Sequence, residues 1–338
     1  MPIHTLPKPY LLLIGDMENP VNAKTAFGLR DWVPEACLGQ LRFSARAVDL
    51  GLPDLSPEQA AAAGAKTLLI GIAPPGGQLP QSWHGCLLEA LDAGLDLAAG
   101  LHQRLAAIPV LAERAKVLGR QIHDVRYSDT RFNVGTGIKR PGLRLLTVGT
   151  DCALGKKYTA LAIAKELKAR RRDADFRATG QTGIMISGSG VAVDAVVADF
   201  IAGAAEALSP ANTADHWDII EGQGSLFHPA YAGVTLGLLH GSQPDALVLC
   251  HDPLRTALSG FAHMRLPTLD QAIEAYLAAA RLTNPRARFV GISLNTSAMD
   301  EAGAKHAIEQ ISLAYQLSCV DPIRTGVGAI VDTLEVLR

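Results

Sequence analysis

Residues 145–158 read Leu145-Leu146-Thr147-Val148-Gly149-Thr150-Asp151-Cys152-Ala153-Leu154-Gly155-Lys156-Lys157-Tyr158. A short apolar run enters a turn bounded by Gly149 and Gly155, and lysine follows the second glycine at once. Beyond the turn, Ala160, Ile163, Ala164 and Leu167 stand at i, i+3, i+4 and i+7, the stripe of a helix packed on a sheet. Strand, glycine-bounded loop and helix in this order predict an anion cradle. The glycines let backbone N–H groups turn inward, the helix start adds partial positive charge, and Lys156 adds a full one. The cradle suits a di- or triphosphate, with Gly149, Thr150, Asp151, Cys152, Gly155, Lys156, Lys157 and Tyr158 as its residues.

The loop departs from the usual phosphate-loop pattern in two ways. Five residues, not four, separate its glycines, and Lys157 stands where Ser or Thr would hold Mg²⁺. A second cation neutralises phosphate but does not place Mg²⁺ between phosphoryl oxygens. Thr159 lies two positions further round the helix and substitutes poorly. Such a loop grips a pyrophosphate and cleaves it badly.

Working outward, the alternation of strand and helix continues to the C-terminus. Strands are predicted at 144–148, 175–179, 217–220, 245–250 and 288–294, and helices at 156–171, 194–207, 269–281 and 300–314. Upstream, Leu11–Ile14 and Thr67–Ile70 are continuous apolar runs stopped by glycine, as buried parallel strands are. Ser56-Pro57-Glu58 signals a helix start, and Trp83 to Leu118 repeats at helical spacing with breaks near Gly94, Gly100 and Pro109. Residues 127–143 hold four glycines or prolines, a linker composition. The fold class is therefore α/β in two domains: a Rossmann-like domain at 1–126, a linker at 127–143, and a phosphate-loop domain with a doubly wound parallel sheet at 144–338.

Bulk properties narrow the function. A net charge of −2 is no nucleic-acid footprint, and the basic cluster at Lys168 to Arg172 is answered by Asp173 and Asp175. The five cysteines include no CxxC pair and show no metal-ligand spacing, so a reduced cytoplasmic chain without a metal centre is expected. No signal peptide is apparent, and no run approaches the roughly 20 apolar residues of a membrane helix.

Three further clusters sit at strand ends, where sites of such sheets assemble. Asp218-Ile219-Ile220-Glu221-Gly222-Gln223-Gly224-Ser225 ends a strand in an acid followed by glycines, with His228 and Tyr231 close behind. Glu221 and His228 are the candidate acid–base groups. Phe176-Arg177-Ala178-Thr179-Gly180-Gln181-Thr182-Gly183 offers Arg177 as a carboxylate clamp, or equally as a surface ion pair. The dipeptide Gly71-Ile72 opens a glycine- and proline-rich loop through Gly77 where a ligand or partner is conceivable, but Gly15-Asp16 is no dinucleotide fingerprint. Asn295, at the end of the 288–294 strand, carries the paired donor and acceptor that an adenine edge requires, or serves as a turn former.

The loop, Ile220-Glu221-Gly222-Gln223-Gly224 and Leu294-Asn295 together resemble dethiobiotin synthetases and cobyric-acid-type amidotransferases, in which loop, acid and Asn serve ATP and Mg²⁺. A fuller resemblance spans essentially the whole chain. It rests on Val148–Cys152, Asp175–Gly183, Val196–Ala204, Glu221–Pro229 and Leu239–Ala246. In these stretches the chain resembles the D-glutamate N-acetyltransferases (DgcN-type) of a family formerly known only as a domain of unknown function, with a Rossmann-like and a P-loop half. The resemblance implies acetyl transfer from acetyl-CoA to the amino group of D-glutamate. On that basis the loop lysines anchor CoA phosphates, Asn295 reads adenine, and Glu221, in preference to His228, is the base. Arg177, Thr179, Gln181, Ser225 and Arg255 then meet the substrate, with Arg324 a further possible clamp. The expected partners are a small molecule and further copies of the chain. The alternatives are an ATP-dependent ligase or kinase like dethiobiotin synthetase, and a non-catalytic nucleotide sensor.

Overall fold

The computed structural model describes residues 6–74, 77–127 and 130–337. Pro75 and Gly76 of the first-half loop, and Ser128 and Asp129 of the expected linker, lie outside the described residues. Among the described residues no helix is long and apolar enough to cross a membrane. The chain forms two compact units.

The first unit runs to Arg131. Its elements are β1 (Tyr10–Gly15), α1 (Lys24–Trp32), β2 (Cys37–Arg42), α2 (Pro57–Ala62), β3 (Thr67–Ile70), α3 (His84–Asp92), β4 (Asp96–Ala99), α4 (Pro109–Leu118) and β5 (Ile122–Asp124). They build a parallel five-stranded sheet in the order β2-β1-β3-β4-β5. The β1 sequence Tyr-Leu-Leu-Leu-Ile-Gly is buried throughout, because helices cover both faces of such a sheet. Ser56 caps α2 in a reciprocal capping box with Gln59. One expectation needs correction: Asp96–Ala99 is a strand, where the helical pattern was read through Trp83–Leu118. Asp-Leu-Ala-Ala has no β-branched residue to announce it, and pairing with β3 and β5 overrides its weak intrinsic preference.

The second half contributes β6 (Leu143–Gly149), α5 (Lys156–Ala169), β7 (Ala174–Arg177), α6 (Gln181–Ser187), α7 (Ile201–Leu208), β8 (Trp217–Ile220), α8 (Ala232–Ser242) and β9 (Ala246–His251). A two-stranded hairpin, β10 (Ala257–Leu258) and β11 (Phe261–Arg265), follows, then α9 (Leu269–Arg281), β12 (Arg288–Leu294), α10 (Glu301–Tyr315), β13 (Ser318–Val320) and α11 (Gly328–Val336). The main sheet has six parallel strands in the order β13-β12-β9-β6-β8-β7. From β6 the chain first builds outward through β7 and β8, then returns to lay β9 on the other flank of β6. The C-terminal end of β6 is thus the topological switch point, where ligands of open α/β sheets bind.

Two boundaries differ from the sequence reading. The helix expected at 194–207 starts only at Ile201, after short 3₁₀ turns at Val193–Ala195 and Ala198–Phe200. Residues Gly180–Ala192, which carry α6, pack with the first unit and not with the sheet that precedes them. The Tyr10 hydroxyl donates to Met185 O at 3.2 Å, and the Thr25 and Thr182 hydroxyls lie 2.9 Å apart.

Candidate active site

The loop after β6 is built as a cradle. Ala153 (φ +52°) and Gly155 (φ +99°) adopt left-handed conformations, which swing successive N–H groups toward one side. The first N–H groups of α5 have no acceptor within the helix. Lys156 is buried, and its Nζ donates to Asp151 O at 2.8 Å. Burial pushes its ammonium below the ordinary lysine value, with Cys250, Cys152 and Asp151 acting the other way. Two glycines make room for this side chain. A methyl on Gly149 would stand 3.3 Å from Nζ, and one on Gly222 would stand 3.0 Å from Cδ and 1.7 Å from Thr147 O.

The strand beside the loop brings the acid. Glu221 follows β8, is 3% exposed, and accepts the Thr179 N–H at 3.0 Å through Oε2. The Thr179 hydroxyl donates to Glu221 O at 2.6 Å and accepts from Gln223 Nε2 at 3.1 Å. The Thr147 hydroxyl joins the two halves of the site, donating to Lys156 O and accepting the Gly222 N–H. The hydroxyl of Thr159 is spent inside the fold, on Gly155 O and Ser293 Oγ.

Asp151 is fully buried, and its Oδ2 accepts from Arg255 Nη1 at 2.9 Å and from Ser259 N at 2.7 Å. Among the described residues its Oδ1 has no hydrogen-bond partner. Ser259 O takes the Nε2–H of His228 at 3.1 Å, while His228 Nδ1 accepts the Ala230 N–H at 3.3 Å. Nε2 is thereby the donor of the ring and Nδ1 the acceptor. It stacks on Tyr231 and meets the edge of Phe261. His251 Nδ1 lies 3.0 Å from the Thr150 hydroxyl, and burial lowers its pKa.

Several expected residues therefore converge on one place: Gly149 to Lys156, Glu221, Ser225 and His228. Others are engaged elsewhere. Arg177 forms ion pairs within the chain, the alternative its sequence context left open: its Nε bonds Asp218 at 2.6 Å and its Nη2 pairs with Asp175 at 3.3 Å. The Arg255 guanidinium braces the loop through Asp151, Cys152 O and Ala153 O. Arg324 is committed to Thr296 O and Met299 O. Gln181 opens α6, in the first unit. Lys157 Nζ sits over the Tyr158 ring at 5.4 Å. The Asn295 side chain accepts the Ser297 N–H, the turn-forming alternative.

Sequence reasoning missed Tyr276. Fully buried, it donates to Gly149 O at 2.8 Å and accepts the Leu226 N–H at 3.2 Å, tying the strand end to the turn before His228. Burial pushes its phenol up to about 12. On the amphipathic α9 it reads as an ordinary core aromatic. Ser259 was missed as well, since it acts through its backbone alone.

Residues 133–331 match the model of a family described as domain of unknown function, DUF1611_C, P-loop domain, and residues 43–128 match DUF1611_N, Rossmann-like domain. A protein of Tritonibacter scottomollicae named D-glutamate N-acetyltransferase is 48% identical over 97% of this chain and 99% of its own. One of the same name from a Pseudoalteromonas species is 49% identical over 96% and 98%. The crystal structure of a DUF1611 family protein from Anabaena variabilis superposes with a TM-score of 0.85 at 34% identity, covering 98% of this chain and all of that one. With both halves matched and full-length relatives at this identity, the chain belongs to the DUF1611 family.

Proposed function

We propose that this protein is an N-acetyltransferase that moves acetyl from acetyl-CoA to the amino group of D-glutamate, in a reducing cytoplasmic setting. The observation that carries this reading is near-half identity, over almost the full length of both chains, to two proteins named for that activity. The site suits it. Nothing follows Lys156 that would bind Mg²⁺ for phosphoryl transfer: the next residue is Lys157, and the Thr159 hydroxyl is already engaged. What the loop offers is positive charge and N–H groups for an anion of the reacting complex, either a CoA phosphate or the oxyanion formed when a thioester is attacked.

Glu221 is the group suited to take a proton from the substrate ammonium. Its carboxylate is buried at a strand end and steadied by the Thr179 N–H. His228 is less suited, since the lone pair of its Nδ1 is already used and its Nε2 carries a proton. Incubation with acetyl-CoA and D-glutamate should release free CoA thiol and N-acetyl-D-glutamate. Tight Mg²⁺-dependent ATP binding without CoA release would overturn the reading in favour of the ligase class. Glu221→Gln should remove most turnover and flatten the acid limb of the pH profile; unchanged turnover and profile would remove Glu221 from the role.

A further inference from the structure

We infer that Cys152 accepts the acetyl group before the amine does, which makes the loop an acyl-transfer centre with a covalent thioester intermediate. The inference rests on the acetyltransferase reading. It starts from a juxtaposition: Cys152 Sγ, a carboxylate oxygen of Asp151 and a ring nitrogen of His228 all lie within 4.8 Å of one another. Thiol, carboxylate and imidazole gathered in one place are the parts of cysteine nucleophiles on many unrelated folds.

The surroundings of the thiol and the carboxylate fit the role, while His228, with both ring nitrogens engaged, steadies the site. Cys152 is half-buried and reachable, whereas Cys37, Cys250 and Cys319 are buried. Asp151 has one oxygen fixed by Arg255 and Ser259 and the other, Oδ1, buried without a partner, an idle proton acceptor. Ser259 holds both helpers at once, donating to Asp151 and accepting from His228. Burial keeps the Cys152 thiol protonated above its ordinary value and Asp151 adds to this, while Lys156 and Arg255 pull it down. The proton must therefore leave as the sulfur attacks, which requires a base in place.

The steps balance as follows. Cys152 Sγ bonds to the acetyl carbon, the bond from that carbon to the CoA sulfur breaks, and the thiol proton passes through Asp151 Oδ1 to the departing sulfur. In the second half-reaction the D-glutamate amine, already relieved of one proton by Glu221, attacks the same carbon. A C–N bond forms, the bond to Cys152 breaks, and the second amine proton returns through Asp151 to the cysteine. Lys156 and the loop N–H groups face the oxyanion of both tetrahedral intermediates. The long pantetheine arm of CoA separates its thioester from its pyrophosphate. A donor reacting at Cys152 thus carries its phosphates outside this loop, contrary to the phosphate seat expected from the sequence. The same trio has the donor types of a soft metal site. However, Arg255 and Lys156 bring positive charge that opposes a cation and suits an oxyanion.

The test is acetyl-CoA added to the full-length protein with no amino acid present, followed by acid quench, intact mass and peptide mapping. One acetyl group should appear on the peptide containing Cys152, disappear with hydroxylamine, and pass to D-glutamate when it is supplied. Double-reciprocal plots should be parallel. Cys152→Ser should slow turnover by about 10³-fold or more, and Cys86→Ser should leave it unchanged. Turnover with intersecting plots, no acetyl-enzyme and a folded, active Cys152→Ala protein would overturn the covalent step while leaving the acetyltransferase reading intact. Absence of acetyl-enzyme together with absence of turnover would overturn both. Acetyl-enzyme that resists D-glutamate but not other amines would overturn only the assigned acceptor.

Discussion

The two units offer the same opportunity at the end of an inner strand and use it oppositely. β1 ends at Gly15, which is left-handed at φ +63°, and a methyl there would stand 2.0 Å from the Trp83 ring. The space beyond β1 is filled by a buried indole. β6 ends at Gly149, whose neighbours are two backbone oxygens and the Lys156 ammonium. One glycine admits an aromatic plug, and the other admits a charge. That both sheets are parallel and helix-covered therefore implies nothing about chemistry; the residues placed on the strand ends decide it.

Lys156 should break this comparison most openly. Lys156→Met keeps the stem packed near Gly222 but removes the charge, and kcat/KM should fall about 10²–10³-fold, as when one oxyanion donor is lost. An intact circular dichroism spectrum would locate the loss in chemistry; a fall below tenfold would deprive the cradle of its role. Gly15→Ala should show the reverse pattern. The clash with Trp83 and the left-handed backbone should cost about 1–3 kcal/mol in urea unfolding, with kcat of the folded fraction unchanged. A large drop in kcat would mean that the first unit takes part in the reaction.

Tyr276→Phe is smaller and purely a matter of hydrogen bonding. It leaves Leu226 N–H and Gly149 O without their shared hydroxyl, which should lower stability by roughly 1–3 kcal/mol. The smallest effect concerns pH. Burial keeps the His251 pKa in the folded protein below that in the unfolded chain. The stability that neutral His251 contributes is complete above the unfolded value of about 6.5 and is lost as pH falls from there toward the folded value. Urea midpoints measured downward from pH 7 should drop more steeply for wild type than for His251→Gln. Equal slopes would remove His251 from that balance.

Long periodic features were legible in the sequence. The β6–loop–α5 segment, β8 running into Glu221, and the 269–281 helix all appear where the pattern put them. Short strands such as β4, β5 and β13 were not, because Asp-Leu-Ala-Ala, Ile-His-Asp and Ser-Cys-Val lack a run of large apolar side chains and are settled by their neighbours in the sheet. The site was half legible. A glycine loop and a strand-end acid leave local marks, whereas the meeting of Cys152 with His228, or of Tyr276 with Gly149, joins residues with no common spacing. Arg177 and Arg255 show the opposite limit: an arginine announces a partner, but its sequence context does not say whether that partner is a substrate or an aspartate of the same chain.

The placement of α6 has a consequence for heredity. The chain leaves the second unit after Thr179 and re-enters it at Val193, having completed the first unit on the way. No single cut yields two whole pieces. A gene fragment beginning at 133 would carry off Ile184 and Met185, which are fully buried in the intact chain, and leave the first sheet without the helix that α1 and Tyr10 hold. Recombination at the apparent linker should thus injure both descendants, because neither would carry a whole first unit.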